Sequence, residues 1–270
     1  MLLTQLLLTL LSNYTNRNRK LIARLSESGD FFFMGNSDTF TFRKFTIRQE
    51  RCAMKVGTDG VLLGAWAEGG KRILDIGTGT GLIALMMAQR FPASTIDAIE
   101  IDSDAASQAV DNVKLSSFSN IVHVMNGSFQ DFASCMPSKQ YDSIVSNPPF
   151  FNNSLKNPDE ARMLARHTDT LSFRDLFHGV EKLLMDDGVF SAIIPATEKA
   201  SFISEASLCG LFLLRDYSVC SKVGKMPKRS LLAFGKTRLK DVENQTVTIV
   251  DTDGHRSDWY SSLTSAFYIK

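Results

Sequence analysis

Residues 73–89 constrain this chain more than any other stretch. A short apolar strand ending in Leu74-Asp75-Ile76 runs straight into Gly77-Thr78-Gly79-Thr80-Gly81, and an apolar helical pattern follows over residues 82–89. Three glycines in five residues exceed what a tight strand-to-helix turn requires. Missing side chains let a ligand approach the backbone where helical N–H groups point outward, so the stretch reads as a nucleotide or anion loop. Downstream come strand 95–100, helix 102–115, strands 121–125 and 142–145, helix 173–185 stopped by Asp186-Asp187-Gly188, and strand 189–194. Such alternation builds a parallel sheet with helices on both faces, a doubly wound α/β core, and right-handed crossovers leave few ways to assemble it. Around that core, residues 40–47 read as a strand or hairpin arm and residues 61–66 as a short helix capped by Thr58-Asp59. Residues 246–250 read as a strand and 257–268 as a helix of the same layered structure.

The 270 residues, 44% apolar and 22% charged, supply one large core and exclude a disordered or collagen-like chain. No repeat or low-complexity linker interrupts the pattern after Met34, so residues 34–270 read as one domain and residues 1–33 as an extension. In that extension a Leu-rich uncharged stretch precedes Arg17, Arg19, Lys20 and Arg24, the reverse of the charge order in a secretory signal. An amphipathic helix, a membrane-touching anchor and sequence lying ahead of a start at Met34 all fit it; the last is preferred. No apolar run approaches the roughly 20 residues of a membrane helix. Cys52, Cys135, Cys209 and Cys220 form no C-x-x-C pair and have no nearby histidine at ligand spacing. That argues against zinc and a disulfide framework, and for reduced thiols in the cytoplasm.

Glu100 closes the second core strand, where a carboxylate can accept both hydroxyls of an adenosine ribose. Gly79, Gly81 and Ala84 also satisfy the Gly/Ala form of the dinucleotide fingerprint, so loop and acid indicate a nucleoside and leave NAD and S-adenosylmethionine both open. The histidines at 123, 167, 178 and 255 offer no constellation that would supply a dehydrogenase with its proton donor. Ser146-Asn147-Pro148-Pro149-Phe150 follows the fourth strand. Proline fixes φ at about −65° and Pro148 restricts Asn147, so the Asn side chain and its neighbouring carbonyls form a stiff template for a planar amine.

The order of these motifs resembles the class I S-adenosylmethionine-dependent methyltransferases, and the Asn-Pro-Pro-aromatic run is similar to that of members that methylate exocyclic or amide nitrogen. A longer run, Arg51-Cys52-Ala53-Met54-Lys55-Val56-Gly57-Thr58-Asp59-Gly60-Val61-Leu62-Leu63-Gly64-Ala65-Trp66, with Leu231-Leu232-Ala233-Phe234 near the end, resembles the bacterial tRNA1(Val) (adenine(37)-N6)-methyltransferase family from Phe40 onward. The resemblance implies a Rossmann-like, mostly parallel seven-stranded sheet with helices on both faces. It implies transfer of one methyl group from S-adenosyl-L-methionine to N6 of adenine 37 in tRNA1(Val), by a cytoplasmic enzyme expected to be a monomer with no metal and no membrane partner. Carried over by position, Asp75, Gly77, Gly79 and Gly81 form the cofactor loop and Glu100 is the ribose acid. Asn147, Pro148, Pro149 and Phe150 form the catalytic run, Asn147 also lying beside the cofactor. Lys55 and Thr58 belong to a segment that closes over the cofactor, Thr58 being equally readable as a helix cap. Relatives often carry an Asp after the third strand for the cofactor's adenine; Asn126-Gly127-Ser128 stands there, leaving Ser128 or a backbone group as substitute. Phe150 replaces the more usual Tyr, keeping the stacking face and losing a hydroxyl.

An adenine N6 lone pair is delocalised into the ring and is a poor nucleophile. Hydrogen bonds from the amine to the Asn147 side-chain oxygen and the Pro148 carbonyl favour a pyramidal nitrogen, which is differential stabilisation of the transition state. Phe150 would stack on the extruded base, a contact worth about 1–3 kcal/mol.

Net charge is only +1, so a polyanionic partner needs local patches. Eight cations against Asp216 lie between Arg215 and Lys240, and Lys222, Lys225, Lys228 and Arg229 are the best phosphate candidates among them. Arg43, Lys44, Arg48, Arg51 and Lys55 form a second cluster, and Arg162 and Arg166 follow the catalytic run. Rival readings are an rRNA base N-methyltransferase, a protein glutamine N5-methyltransferase, which faces the same lone-pair problem, and a nonenzymatic nucleotide-binding Rossmann module.

Overall fold

A strand covered by helices on both faces has no solvent side and reads as a continuous apolar run; Ile73, Leu74, Ile76, Ile144 and Val145 do so, and all are buried. The computed structural model describes residues 24–25, 31–32, 38–52, 54–148 and 171–269, and the chain divides into two compact units, 1–38 and 39–270. In the first unit β1 (Arg24–Leu25) pairs antiparallel with β2 (Phe31–Phe32); the rest of the expected extension lies outside the described residues. In the second, β3 (Thr39–Thr41) and β4 (Thr46–Arg48) pair with Phe40 opposite Ile47, so the stretch read as a strand or hairpin arm holds both arms.

The main sheet contains β5 (Arg72–Ile76), β6 (Thr95–Glu100), β7 (Val122–Asn126), β8 (Tyr141–Ser146), β9 (Leu184–Pro195), β10 (Phe212–Lys222), β11 (Arg229–Gly235) and β12 (Glu243–Val250). Their order is β12-β10-β11-β9-β8-β5-β6-β7. β11 is antiparallel to both neighbours, and the other pairs are parallel. The doubly wound, mostly parallel class is the expected one, with eight strands where seven were expected: β12 adds itself parallel to β10 at the outer edge. Val247 and Ile249 are buried on one face of β12, and Val250 at its end is buried on the other.

From β5 the chain moves outward through β6 and β7, then crosses back to β8 on the other side of β5. The crevice at this reversal, beyond the carboxyl ends of β5 and β8, is where an open α/β sheet binds ligands.

Seven helices flank the strands among the described residues: α1 (Thr58–Trp66), α2 (Leu82–Arg90), α3 (Ser103–Lys114), α4 (Phe129–Cys135), α5 (Phe173–Leu183), α6 (Lys199–Leu208) and α7 (Asp258–Thr264). α1 starts earlier than expected, and Thr58 is its first residue, not its cap; Gly57 occupies the cap position without a side-chain bond. Glycines at 60 and 64 let α1 lie directly on α2, since a Cβ there would meet Leu82 Cδ2 at 2.9 Å and Met86 Sδ at 2.8 Å. α5 ends at Leu183 because the chain turns into β9, whose register against β8 shifts between Tyr141 and Ser143. Asp186-Asp187-Gly188 therefore lies within a bulged strand and not in a turn. Beneath α5 and α6, Phe177, Phe190, Phe202 and Phe234 pack ring to ring with centroids 4.6–6.5 Å apart, anchoring that half of the sheet.

Candidate active site at the carboxyl edge of the sheet

Strand register sets the site. Ile76 lies opposite both Ile99 and Ser146, and Glu100 opposite Asn126, so the residues that follow stand side by side on one edge. The N–H groups of Gly77 and Thr78 donate to the Ile99 carbonyl at 2.9 and 3.0 Å, turning the chain, and the Gly81 N–H closes onto the Thr78 carbonyl at 2.9 Å. Gly77, Gly79 and Gly81 all have positive φ, +71°, +56° and +82°. Their surroundings differ. A Cβ at Gly77 or Gly79 meets nothing within 4 Å among the described residues, so these two face open space there, whereas a Cβ at Gly81 would touch Ala109 Cβ of α3 at 3.5 Å. Two glycines thus keep a space clear and the third packs the loop on a helix.

Asp75 is fully buried beneath the loop. Its Oδ2 accepts from Thr78 Oγ1 at 2.6 Å and from the Ala84 N–H at 3.1 Å, which holds the turn and satisfies a first-turn donor of α2. Asp75 thus acts on the loop from below. Burial pushes its carboxyl up to about 7, the bonds from Thr78 and Ala84 opposing the rise and the charge of Glu100 adding to it. A carboxyl raised in the folded state gives stability that is complete below its unfolded value near 4 and is lost as pH climbs through 7. Asp75→Asn, whose amide oxygen can accept the same two bonds, should flatten the fall in unfolding free energy between pH 4 and 7. Denaturant melts across that range check it, and an unchanged slope would remove Asp75 as the cause.

Glu100 bridges the loop to the next segment: its Oε2 accepts the Gly79 N–H at 2.7 Å and its Oε1 the Asp102 N–H at 3.0 Å. Each oxygen keeps further acceptor capacity, which suits a pair of ribose hydroxyls. Ile101 beside it is 42% exposed, an apolar side chain held open at a strand end. Sequence reasoning passed over Ile101; the signal was an Ile directly after the acid, where the chain otherwise turns polar. Ser128, expected to stand in for the adenine-binding Asp, sits at the start of α4. Its Oγ accepts the Asp131 N–H at 3.0 Å and donates to Asp131 Oδ2 at 2.7 Å, capping α4. The hydroxyl proton is thereby engaged, and one lone pair is left for a cofactor amine. Asn126 is engaged too, its Nδ2 donating to the carbonyls of Glu100 and Ile101.

Asn147 follows β8, whose last residue Ser146 is buried and donates from Oγ to the Ile76 carbonyl at 2.9 Å, fixing the two strand ends together. Asn147 is half-buried and Pro148 buried. The Asn147 Nδ2 stands 4.0 Å from Met54 Sδ, a weak acceptor, and Met54 is 65% exposed. Lys55 is exposed on the same segment, which is tied down by the Val56 N–H donating to Gln49 Oε1 at 2.8 Å. Pro149, Phe150, Arg162 and Arg166 lie outside the described residues.

The basic run 215–240 does not make one patch. β10 and β11 run in opposite senses, so its cations separate to the two edges of the sheet. Arg215 pairs with Glu68 at 2.9 Å and covers the Trp66 ring at 4.2 Å, Lys236 pairs with Glu181 at 3.3 Å, and Arg238 lies over Phe212. These belong to the edge away from the site. Lys222, Lys225, Lys228 and Arg229 belong to the carboxyl edge, but Arg229 is tied through Nε to Asp59 Oδ2 at 2.7 Å. In the second cluster Arg51 is held by Asp111, Ser107 and Gln108 of α3, and Arg43 by the Tyr268 carbonyl. Burial pushes the Cys52 thiol up to about 11 and also raises Cys209 and Cys220, which disfavours the nucleophilic thiolate at these three. Among the described residues no His, Cys, Asp or Glu group could hold a metal ion, and no helix is long and apolar enough to cross a membrane.

A family model for a methyltransferase small domain matches residues 56–172. The tRNA1(Val) (adenine(37)-N6)-methyltransferase of Bacteroides fragilis is 47% identical over 234 residues, covering 86% of this chain and 98% of that protein. The protein of the same name from Pseudoalteromonas translucida is 45% identical over 233 residues, covering 86% and 98%. Among solved structures, an Agrobacterium tumefaciens protein described as a predicted O-methyltransferase superposes with a TM-score of 0.59 at 17% identity, covering 77% of this chain and 96% of that one. TYW2 of P. horikoshii, solved in complex with MeSAdo, gives 0.52 at 14% identity, covering 76% and 74%. At those identities the likeness concerns the fold.

Proposed function

The chain belongs to the tRNA1(Val) (adenine(37)-N6)-methyltransferase family, and we propose that it methylates N6 of adenine 37 of that tRNA at the crevice between β5 and β8, with Asn147 positioning the amine. The observation that carries this reading is the meeting, on adjacent strand ends, of an open glycine loop, a half-engaged acid and a proline-braced amide. S-adenosyl-L-methionine supplies an electrophilic methyl on a sulfonium. Gly77 and Gly79 leave backbone and space for it, Glu100 takes its ribose, Ile101 offers an apolar face to its base, and Asp75 holds the loop in shape. Asn147 Oδ1 and the Pro148 carbonyl accept the two amine hydrogens and direct the lone pair toward the methyl. As the nitrogen gains charge its N–H groups become stronger donors, so these bonds tighten in the transition state. The new N–C bond replaces the methyl–sulfur bond, whose electron pair stays on sulfur so that S-adenosylhomocysteine leaves as a neutral thioether; the amine proton is then lost to water, and no strong general base is required.

The test is transfer of labelled methyl from S-adenosylmethionine to unmodified tRNA1(Val), the same tRNA carrying guanine at 37, ribosomal RNA and release factor. Label should appear only in the first, as N6-methyladenosine after digestion. Label in ribosomal RNA or in protein would install one of the rivals. We assign Lys222, Lys225 and Lys228 to the tRNA backbone. Replacing all three with Ala should lower the slope of log K against log salt by about 2 to 3, at roughly 0.7–0.9 per phosphate contact, and an unaltered slope would remove the patch.

A further inference from the structure

The turn joining β10 to β11 exposes apolar side chains where a solvated loop would carry polar ones. In Lys222-Val223-Gly224-Lys225-Met226-Pro227-Lys228-Arg229, Met226 is 83% exposed and Val223 48%. A single exposed Met is ordinary; this one comes with three further facts. The loop that carries it is fastened. Lys225 N–H donates to the Lys222 carbonyl at 3.2 Å, Lys228 N–H to Val219 at 3.0 Å, and Ala196 N–H to Lys228 at 3.0 Å, while Arg229 pins its base to Asp59 of α1. Its charge is one-sided: Lys222, Lys225 and Lys228 make no ion pair among the described residues, and residues 222–229 contain no acid. Its position is set by topology. β10 runs parallel to β8, so the loop rises from the same edge as Asn147, and β11 is two places from β8, about 10 Å at ~4.8 Å per strand.

Methylation at N6 requires the target base to leave its stack, and a vacated stacking position is costly. Proteins that kink and unstack nucleic acid insert apolar wedges, Met among them, between base steps. We propose that residues 222–229 are such a wedge. Met226 enters the anticodon loop and takes the stacking position that adenine 37 vacates, its polarisable thioether lying against the neighbouring base, while Lys222, Lys225 and Lys228 hold the adjacent phosphates. Arg229 is a positioning residue for the wedge through Asp59. This rests on the proposed reaction and adds the device that delivers its substrate.

The experiment uses full-length tRNA1(Val) with 2-aminopurine at position 37, whose fluorescence rises when the base unstacks. Wild-type protein should raise it on binding. Met226→Ala should keep the salt slope of binding but lose most of that rise, and kcat on unmodified tRNA should fall about tenfold; Met226→Leu should restore both. Met226→Ala with an undiminished rise, or with wild-type kcat, would overturn the wedge while wild-type methylation of adenine 37 left the active site standing. Absence of methylation by the wild type would instead defeat the underlying reading. Loss of anionic-vesicle binding as the sole defect of Met226→Ala would move the loop to a membrane and overturn the proposal.

Discussion

Asn147→Ala is expected to lower single-turnover methyl transfer by about 10²–10³ at saturating S-adenosylmethionine and tRNA, the loss seen when one preorganised transition-state acceptor or donor is removed. The reason lies in the nucleophile. Conjugation holds the N6 amine planar, and a pocket that merely bound adenine would lower KM without helping the attack. An acceptor fixed where the N–H bonds must point once the nitrogen pyramidalises acts on the barrier itself, and Asn147 is fixed by Pro148 on one side and by the Ser146 bond to Ile76 on the other. KM for tRNA should therefore move little compared with kcat. Asn147→Asp keeps an acceptor and should retain more activity than Ala, and Asn147→Gln, with its amide carried one methylene outward, should retain less than Asp. Wild-type transfer by Asn147→Ala would remove the amide from the mechanism.

Gly79→Ala should weaken S-adenosylmethionine binding at least about tenfold, or 1.4 kcal/mol, while Gly81→Ala should act chiefly on folding. Both glycines have positive φ, and an L side chain in that region costs about 1–2 kcal/mol. For a chain of this size that is about 2–4 °C of melting temperature per kcal/mol. The difference is in what the new methyl meets. At 79 it projects into empty space beside Glu100, where the cofactor is to lie; at 81 it meets Ala109 in ordinary contact and stays away from the crevice. Calorimetric titration beside thermal melts separates the two effects. Equal cofactor affinities for both variants would mean that the open space at 77 and 79 is not the binding site.

The part of the fold legible in the sequence is the part whose chemistry is local. β5, the glycine loop, α2 and β6 announce themselves by a continuous apolar run, glycines and a strand-end acid, and β6 spans the residues expected for it. β10 and β11 were hidden because their charges are neutralised by residues distant in sequence: Arg215 by Glu68 and the Trp66 face, Asp216 by Lys199. Without those partners the run looks like a basic loop, and its linear charge count cannot show that antiparallel strands carry the cations to opposite edges. α6 was missed for the opposite reason, since Phe202 and Ala206 alone mark its buried face. At the site, glycines, acid and amide were legible as residue types, but their division of labour was not. That Gly81 packs, that Asp75 braces from beneath and that Arg229 anchors depend on neighbours that only the fold supplies. Ser128 could have been read better: Ser followed three residues later by Asp ahead of an apolar position is a helix-start pattern, and the structure uses it as one.

The claim on which all of this depends is spatial, and a crystal structure with S-adenosylhomocysteine and tRNA1(Val) addresses it directly. The account predicts the nucleoside against Gly77, Gly79 and Glu100, and adenine 37 extruded with N6 within hydrogen-bond reach of Asn147 Oδ1 and the Pro148 carbonyl. An adenine 37 still stacked in the anticodon loop, or a nucleoside bound away from the glycine loop, would contradict it.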